Sequence, residues 1–528
     1  MKQRITYLVQ NPDAFSPEQL QVKTKTLKLD KVVAAKEHRV TFGLSELPKE
    51  LSKAFEQWHE LHIRWASESA YKAVPPFTSR VSPGLHAFFT PIKDRDEGPL
   101  CPLLTELFGD ALKCQDSNKS FIKLPILSER FSHSASTQYY SHAPSLSHLV
   151  SYIQTKLCKS HSPWCKDAAA SLLTASYLDM DYDTISHAVI LSAYWEEAPN
   201  GESWTESISL SGSEERIEVG VLIHEPNPDP EDIGFGGFLT VLGEDDKPSM
   251  LPSPLHQLQL TPLQEPTRFQ TPTRHYPLPS TSSLTYSTRF SMPTGLHPTL
   301  LITLPTSQLT PPAPTCRLHA HLTLPSSLIL DKYQFSDPLF LTSSNIDVLR
   351  SIAGATDLEA PDWVIPQWGS AALFSLVFPA DPSATSLPAD WEVSIPLHVR
   401  YLPAANSSHG SIPVPWPVVF WACRAEEGAK MAANPFDRLH LGYEALFGPK
   451  TRFMHVSPSN ASEKGVGKGE LVEWIDVPIL DLGSWSARWV EVGTVGTVLV
   501  AFLGLCWVLF TGLKAGKQSE KEKAKKKQ

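Results

Sequence analysis

At 528 residues the chain exceeds one average domain, and two folded units with some linker are expected. Charged content of 19% and hydrophobic content of 41% exclude a disordered chain, and a net charge of −10 lacks the basic face that nucleic-acid binding requires. The 46 prolines exceed the usual ~5%; they argue against long helices and for short strands, edges and loops.

Residues 1–45 read as short strands, with Leu27, Leu29, Val32 and Val33 as candidate core. In residues 48–69, Leu51, Phe55, Trp58, Leu61 and Trp65 fit helical spacing, while Leu61-His62-Ile63-Arg64-Trp65 also alternates as a strand would. Trp58-His59-Glu60-Leu61-His62 does not match a metalloprotease helix. That motif needs H-E-x-x-H, so that both imidazoles share one helix face, and here the histidines are three apart. Residues 150–157 and 168–178 are the expected helical pieces.

Asp179, Asp181 and Asp183 are the most enzyme-like group, since alternating carboxylates can hold a divalent metal and a nucleotide-sugar diphosphate. An EF-hand register fails, with Thr184 where glycine is needed and Ile190 where glutamate is needed. The expectation is a solvated acidic loop. The glycine cluster Gly234-Phe235-Gly236-Gly237 has no strand–turn–helix context for phosphate binding. Residues 220–280, rich in proline and acid, read as an extended connector with one short strand at 238–242.

From Leu284 short apolar or alternating runs parted by prolines follow at 299–304, 317–324, 371–378, 391–401 and 412–421, then 451–456 and 471–480. This spacing predicts a mainly β protein, a β-sandwich or open barrel with a few helices. In residues 391–401, Trp391, Val393, Ile395, Leu397, Val399 and Tyr401 form one apolar face and Pro396 marks an edge or bulge. His398 and Arg400 are expected on the outward face, about 7 Å apart. There Arg400 would offer a planar donor fork to a partner. In residues 412–421, Pro413, Pro415 and Pro417 lack an N–H, which leaves one side for pairing.

Residues 492–513 contain no charged side chain and, at ~1.5 Å per residue, are long enough for a ~30 Å hydrocarbon core. Seven lysines follow, from Lys514 to Lys527, while Trp485, Arg488, Trp489 and Glu491 flank the other end. The positive-inside rule places the tail in the cytosol and the bulk across the membrane. Against this, residues 1–15 carry no apolar run suited to a signal peptide, and a tail-anchored protein would look the same. Sequons begin at Asn118, Asn406 and Asn460. Outside the span lie Cys101, Cys114, Cys158, Cys165, Cys316 and Cys423. They permit 15 pairings, or free buried thiols; proximity favours Cys101–Cys114 and Cys158–Cys165, leaving Cys316 with Cys423. Their spacing offers no zinc motif. The expected units are residues 1–220, a connector at 221–283, a β-domain at 284–488, the span at 492–513 and a basic tail at 514–528.

Several segments in order carry a family resemblance. They are Gly295-Leu-His-Pro-Thr-Leu300, residues 316–335, Asp357-Leu-Glu-Ala-Pro-Asp-Trp363, Pro396-Leu-His-Val-Arg-Tyr-Leu-Pro403 and Pro417-Val-Val-Phe-Trp-Ala-Cys423, followed by the membrane helix. Together they resemble the PIG-X family. Residues 60–65, 79–86 and 236–248 resemble its extended fungal members. The resemblance implies a single-span, non-catalytic subunit of glycosylphosphatidylinositol (GPI) mannosyltransferase I, with its bulk in the lumen of the endoplasmic reticulum. That complex adds the first mannose to the GPI precursor. The chemistry would belong to a multi-spanning catalytic partner, and this chain would need no cofactor. The resemblance also favours His398, Arg400 and Tyr401 as partner contacts. A general lumenal chaperone is the alternative function, and a transferase using Asp179, Asp181 and Asp183 the enzymatic rival.

Overall fold

A computed structural model describes residues 1–92, 100–125, 137–158, 163–199, 201, 203–210, 216–225, 232–243, 265–279, 282–380, 382, 387–424, 440–448, 450–459, 469–483 and 485–525. The protein is mainly β. An eleven-stranded sheet dominates the N-terminal half, with strands in the spatial order Glu265–Pro272, Asp232–Leu242, Ile217–Glu225, Lys2–Val9, Ala35–Gly43, Ala188–Trp195, Tyr177–Asp183, Trp58–Ala66, Gly84–Pro91, Thr137–Ser141 and Ile122–Lys123. Lys2–Val9 pairs parallel to Ile217–Glu225 and antiparallel to Ala35–Gly43. The sheet therefore recruits its own N-terminus as a central strand. Helices Lys49–Phe55, Leu100–Phe108 and Ser147–Tyr152 bury leucines and aromatics in the core on one face.

Two readings of the sequence change here. Among the described residues the expected connector at 221–283 carries more than one short strand, because Ile217–Glu225, Asp232–Leu242 and Glu265–Pro272 all join the sheet. Its prolines misled: Pro266 and Pro272 lie on the outermost strand, where a missing N–H removes no inner ladder bond. The glycine cluster sits inside that ladder, with Gly236 opposite Ile223 and Gly237 opposite Leu222. Residues 226–231, in the middle of the Glu225–Asp232 run, lie outside the described residues. Around residue 55 both periodicities hold in turn. Helix Lys49–Phe55 gives way to strand Trp58–Ala66. Likewise helix Pro163–Ser171 covers only the first part of 168–178, and strand Tyr177–Asp183 takes over its end.

The second half is a sandwich. A six-stranded sheet contains Cys316–Pro325, Gly369–Leu376 and Val418–Arg424 side by side, and a four-stranded sheet contains Thr299–Pro305 and Asp390–Pro396. Leu300, Ile302, Val393 and Ile395 of one meet Leu318, Leu322, Phe374 and Trp421 of the other in a single core. The six-stranded sheet has no solvent face at its centre: Leu373, Val418 and Phe420 point the other way, against Leu8, Ala66, Tyr177 and Tyr194 of the N-terminal half. Gly369–Leu376 is accordingly buried at every position, as a strand covered on both faces must be. The two halves share one apolar interface.

Prolines set the edges. Asp390–Pro396 is the outermost strand of its sheet. The expected strand at 412–421 is two strands, His409–Pro415 and Val418–Arg424, broken at Trp416-Pro417. Among the described residues the first pairs with Val472–Pro478 alone, and the second lies inside the six-stranded sheet. Three disulfides join Cys101 to Cys114, Cys158 to Cys165 and Cys316 to Cys423. The last bridges directly opposed residues of neighbouring strands. A helix from Trp485 to Lys525 closes the described chain; within it Arg488–Gly512 is long and apolar enough to cross a membrane. Lys526 and Lys527 of the basic tail lie outside the described residues.

Candidate functional site

Pro396 ends the edge strand, and the chain then changes sheets. His398–Val399 pairs with Leu328–Ile329 instead of continuing beside Thr299–Pro305. The period of two is lost at that crossing. Val393, Ile395 and Leu397 are buried as the alternation predicts. Beyond the crossing, however, Arg400 is 2% exposed and Tyr401 is 73% exposed. Arg400 therefore points inward, contrary to the expected outward placement.

Its guanidinium is a clamp. Nε donates to the Ser326 carbonyl at 2.8 Å, Nη1 to those of Asp357 and of Ala360 (2.7 Å), and Nη2 to that of Ala355 at 3.2 Å. The planar fork of donors suits such a cage of carbonyls. Asp362 accepts from the Ser326 hydroxyl at 2.6 Å, and its backbone N–H donates to the Tyr401 carbonyl at 3.0 Å. Segments 326–327, 355–362 and 400–401 are thereby locked together. The lock presents Trp363 (60% exposed), Val364 and Tyr401 at the surface. His398 is half-buried, with Nδ1 3.1 Å from Nδ1 of His297. Burial, with His297 beside it, lowers the pKa of His398.

A second polar cluster lies against the N-terminal sheet, and the acidic triplet is part of it. Asp179, Asp181 and Asp183 are not a solvated loop but alternate residues of a central strand. Asp179 is ion-paired with Arg64 Nη1; Asp181 accepts from His62 Nδ1 at 2.6 Å and lies 3.4 Å from Arg64 Nη2. Asp183 accepts from the N–H groups of Ile185 and Ser186, both at 2.9 Å, and so caps the following turn. The cross-strand register explains the pairing, with His62 opposite Asp181 and Arg64 opposite Asp179. Burial pushes the Asp179 carboxyl up to about 6 against the pull of Arg64. Burial opposes the charged imidazolium of His62, but hydrogen bonds to Asp181 and Glu60 outweigh it and raise its pKa.

Glu60, His62 and His440 come together beside this network. Their ligand atoms all lie within 4.8 Å of one another, and the His62 and His440 rings stack at 4.0 Å. Helical spacing of H-E-L-H does not bring these groups together. On a strand, residues two apart share a face, which unites Glu60 with His62 and turns His59 outward. Nothing local announces His440.

Of the sequons, Asn118 and Asn406 are exposed, and Asn460 lies outside the described residues.

Comparison with known proteins reaches both halves of the chain. A family model described as PIG-X / PBN1 matches residues 293–510, a span that includes Arg400, Tyr401, Trp363, the Cys316–Cys423 bridge and the apolar helix. The chain is 45% identical to "Protein pbn1" of Emericella nidulans over 527 residues, covering 96% of this chain and 95% of that protein. It is 39% identical to "Protein pbn1" of Neurospora crassa, covering 99% and 98%. With "Protein PBN1" of Saccharomyces cerevisiae it shares 32% identity over 179 residues, 33% of this chain and 36% of that protein. The similarity runs through both halves, and the chain belongs to the PIG-X / PBN1 family.

Proposed function

We propose that this protein is the non-catalytic, single-span subunit of GPI mannosyltransferase I, acting in GPI-anchor biosynthesis in the endoplasmic reticulum. It holds a multi-spanning catalytic partner in its native state. Family membership supports the pathway. Three disulfides outside the apolar helix suit an oxidising compartment, and the lysine-rich tail suits the cytosolic side. The bulk is then lumenal.

The observation that carries the reading is the division of labour around Arg400. The segments matched by the family model spend their arginine on internal carbonyls and expose Trp363, Val364 and Tyr401. Exposed aromatics on a rigid frame are the usual anchors of a protein contact. Arg400 thus serves the contact surface from beneath, while Tyr401 touches the partner and His398 lies at its margin. Binding of this surface and the span to the folded partner lowers the partner's unfolded fraction by mass action.

Purification of the full chain in mild detergent tests this. One stoichiometric multi-spanning partner is expected, with Tyr401→Ala/Trp363→Ala reducing its recovery. Many substoichiometric clients would instead mark a general chaperone. An Asn406→Gln variant with unchanged mobility, and an unmodified wild-type chain, would speak against the lumenal placement.

A further inference from the structure

We infer that Glu60, His62 and His440 form a binding site for a divalent transition metal of the zinc class, which ties the N-terminal sheet to the segment that precedes strand Thr451–His455 of the second half. His62 Nε2 lies 3.4 Å and His440 Nε2 3.8 Å from Glu60 Oε2. Ligands at ~2.0–2.1 Å around a tetrahedral ion are about 3.3 Å apart, so Glu60 and His62 already stand at that spacing, and the His440 ring, stacked on His62 at 4.0 Å, must close in and turn its edge toward the ion. Two imidazoles and one carboxylate are a common zinc donor set, with water in the fourth position.

The surroundings are built as metal sites are. His62 holds Asp181 on its other nitrogen, Nδ1, at 2.6 Å, the carboxylate–histidine arrangement that fixes the tautomer and turns Nε2 toward the metal. Thr90 donates its hydroxyl to the far oxygen of Glu60 at 2.6 Å. Arg64 Nε donates to the His440 carbonyl at 3.0 Å and sets the backbone that carries the third ligand. The charge balance also fits. Three carboxylates, Glu37, Asp179 and Asp181, face the guanidinium groups of Arg39 and Arg64, and Glu60 adds a further negative charge beside His62. Carboxylates outnumber guanidinium groups there, and a dication offsets the excess. All three ligand side chains are largely shielded, at 15%, 1% and 11% exposure for Glu60, His62 and His440.

The test is Co2+ titration of the full chain, purified in detergent and stripped with chelator, followed by ligand-field absorption and metal analysis. Wild type is expected to take one equivalent that Zn2+ displaces, and His59→Gln, on the opposite strand face, to match it. Glu60→Gln/His440→Gln is expected to lose stoichiometric binding. Thr90→Val keeps all three ligands and is expected to weaken binding about tenfold, which gives a reading even if the double variant does not fold. The other close imidazole pair, His297 and His398, is controlled by His297→Gln, which should bind as wild type does. No equivalent of Co2+ on wild type, equal uptake by the double variant, or unchanged affinity in Thr90→Val would each overturn the inference.

Discussion

Arg400 Nη1 donates to the carbonyl of Ala360 at 2.7 Å, so two segments forty residues apart hold one another through a buried charge. Replacing Arg400 with Ala leaves the carbonyls of Ser326, Asp357, Ala360 and Ala355 without this donor. At about 1–3 kcal/mol for each buried unsatisfied group, only partly relieved by water, the expected loss is about 3 kcal/mol or more. Arg400→Lys keeps the charge but not the fork, and is expected to fall between the two. Thermal unfolding of the detergent-purified chain checks both.

The exposed pair behaves oppositely. Tyr401→Ala and Trp363→Ala remove side chains that are 73% and 60% exposed, so the melting temperature is expected to stay within a degree or two of wild type. Surface changes of this kind usually cost under about 0.5 kcal/mol. Partner recovery is expected to drop all the same. A variant pair that unfolds the chain, or that recovers the partner in full, would contradict the assignment of this face.

Acid is expected to weaken the fold. Burial pushes His321 and His455 down to about 3, and His38, His86 and His319 down to about 4. His86 also bears on His321, and Arg80 on His455. These folded-state values lie below the unfolded value of 6.5. Their stabilising contribution is therefore complete above pH ~6.5 and is lost as pH falls from there toward 3–4. Glu444 runs the other way: burial raises it to about 7, so its contribution is complete below pH ~4.5 and is lost as pH rises through 7. Asp179, raised to about 6, and His62, also raised, act in the same sense as Glu444, and the five histidines outnumber these three groups. The melting temperature is expected to fall between pH 7 and 5, and His321→Gln to flatten the slope.

The Cys316–Cys423 bridge closes a loop of 107 residues between two strands at the centre of the sandwich. On the loop-entropy scale a closure of this length stabilises by about 4–5 kcal/mol. The double Cys→Ser variant is expected to melt well below wild type, and further below than a variant lacking Cys158–Cys165, which spans 7 residues.

Much of this was legible because burial writes itself as periodicity. The β class, the edge position of Asp390–Pro396 and the apolar helix all follow from local pattern. Arg400 was not legible, since alternation assumes one continuous strand and the chain leaves its sheet at Pro396. The two Leu-His-x-Arg runs were the available hint. Arg64 and Arg400 are both buried, and both donate to backbone carbonyls. Proline density hid the strands of residues 217–272, because an edge strand tolerates proline as well as a linker does. The Glu60–His62–His440 group needs a contact across 376 residues, seen in the Arg64–His440 bond, and no local pattern reports one.

The central claim is that this chain sustains another protein's active site. Its most direct test is controlled depletion of the chain, with the level of the multi-spanning mannosyltransferase and the first mannosylation of the GPI precursor followed together. The account predicts that the partner's half-life shortens and unmannosylated precursor accumulates, while the chain purified alone transfers no mannose. A partner that persists at full level with normal mannosylation would contradict it.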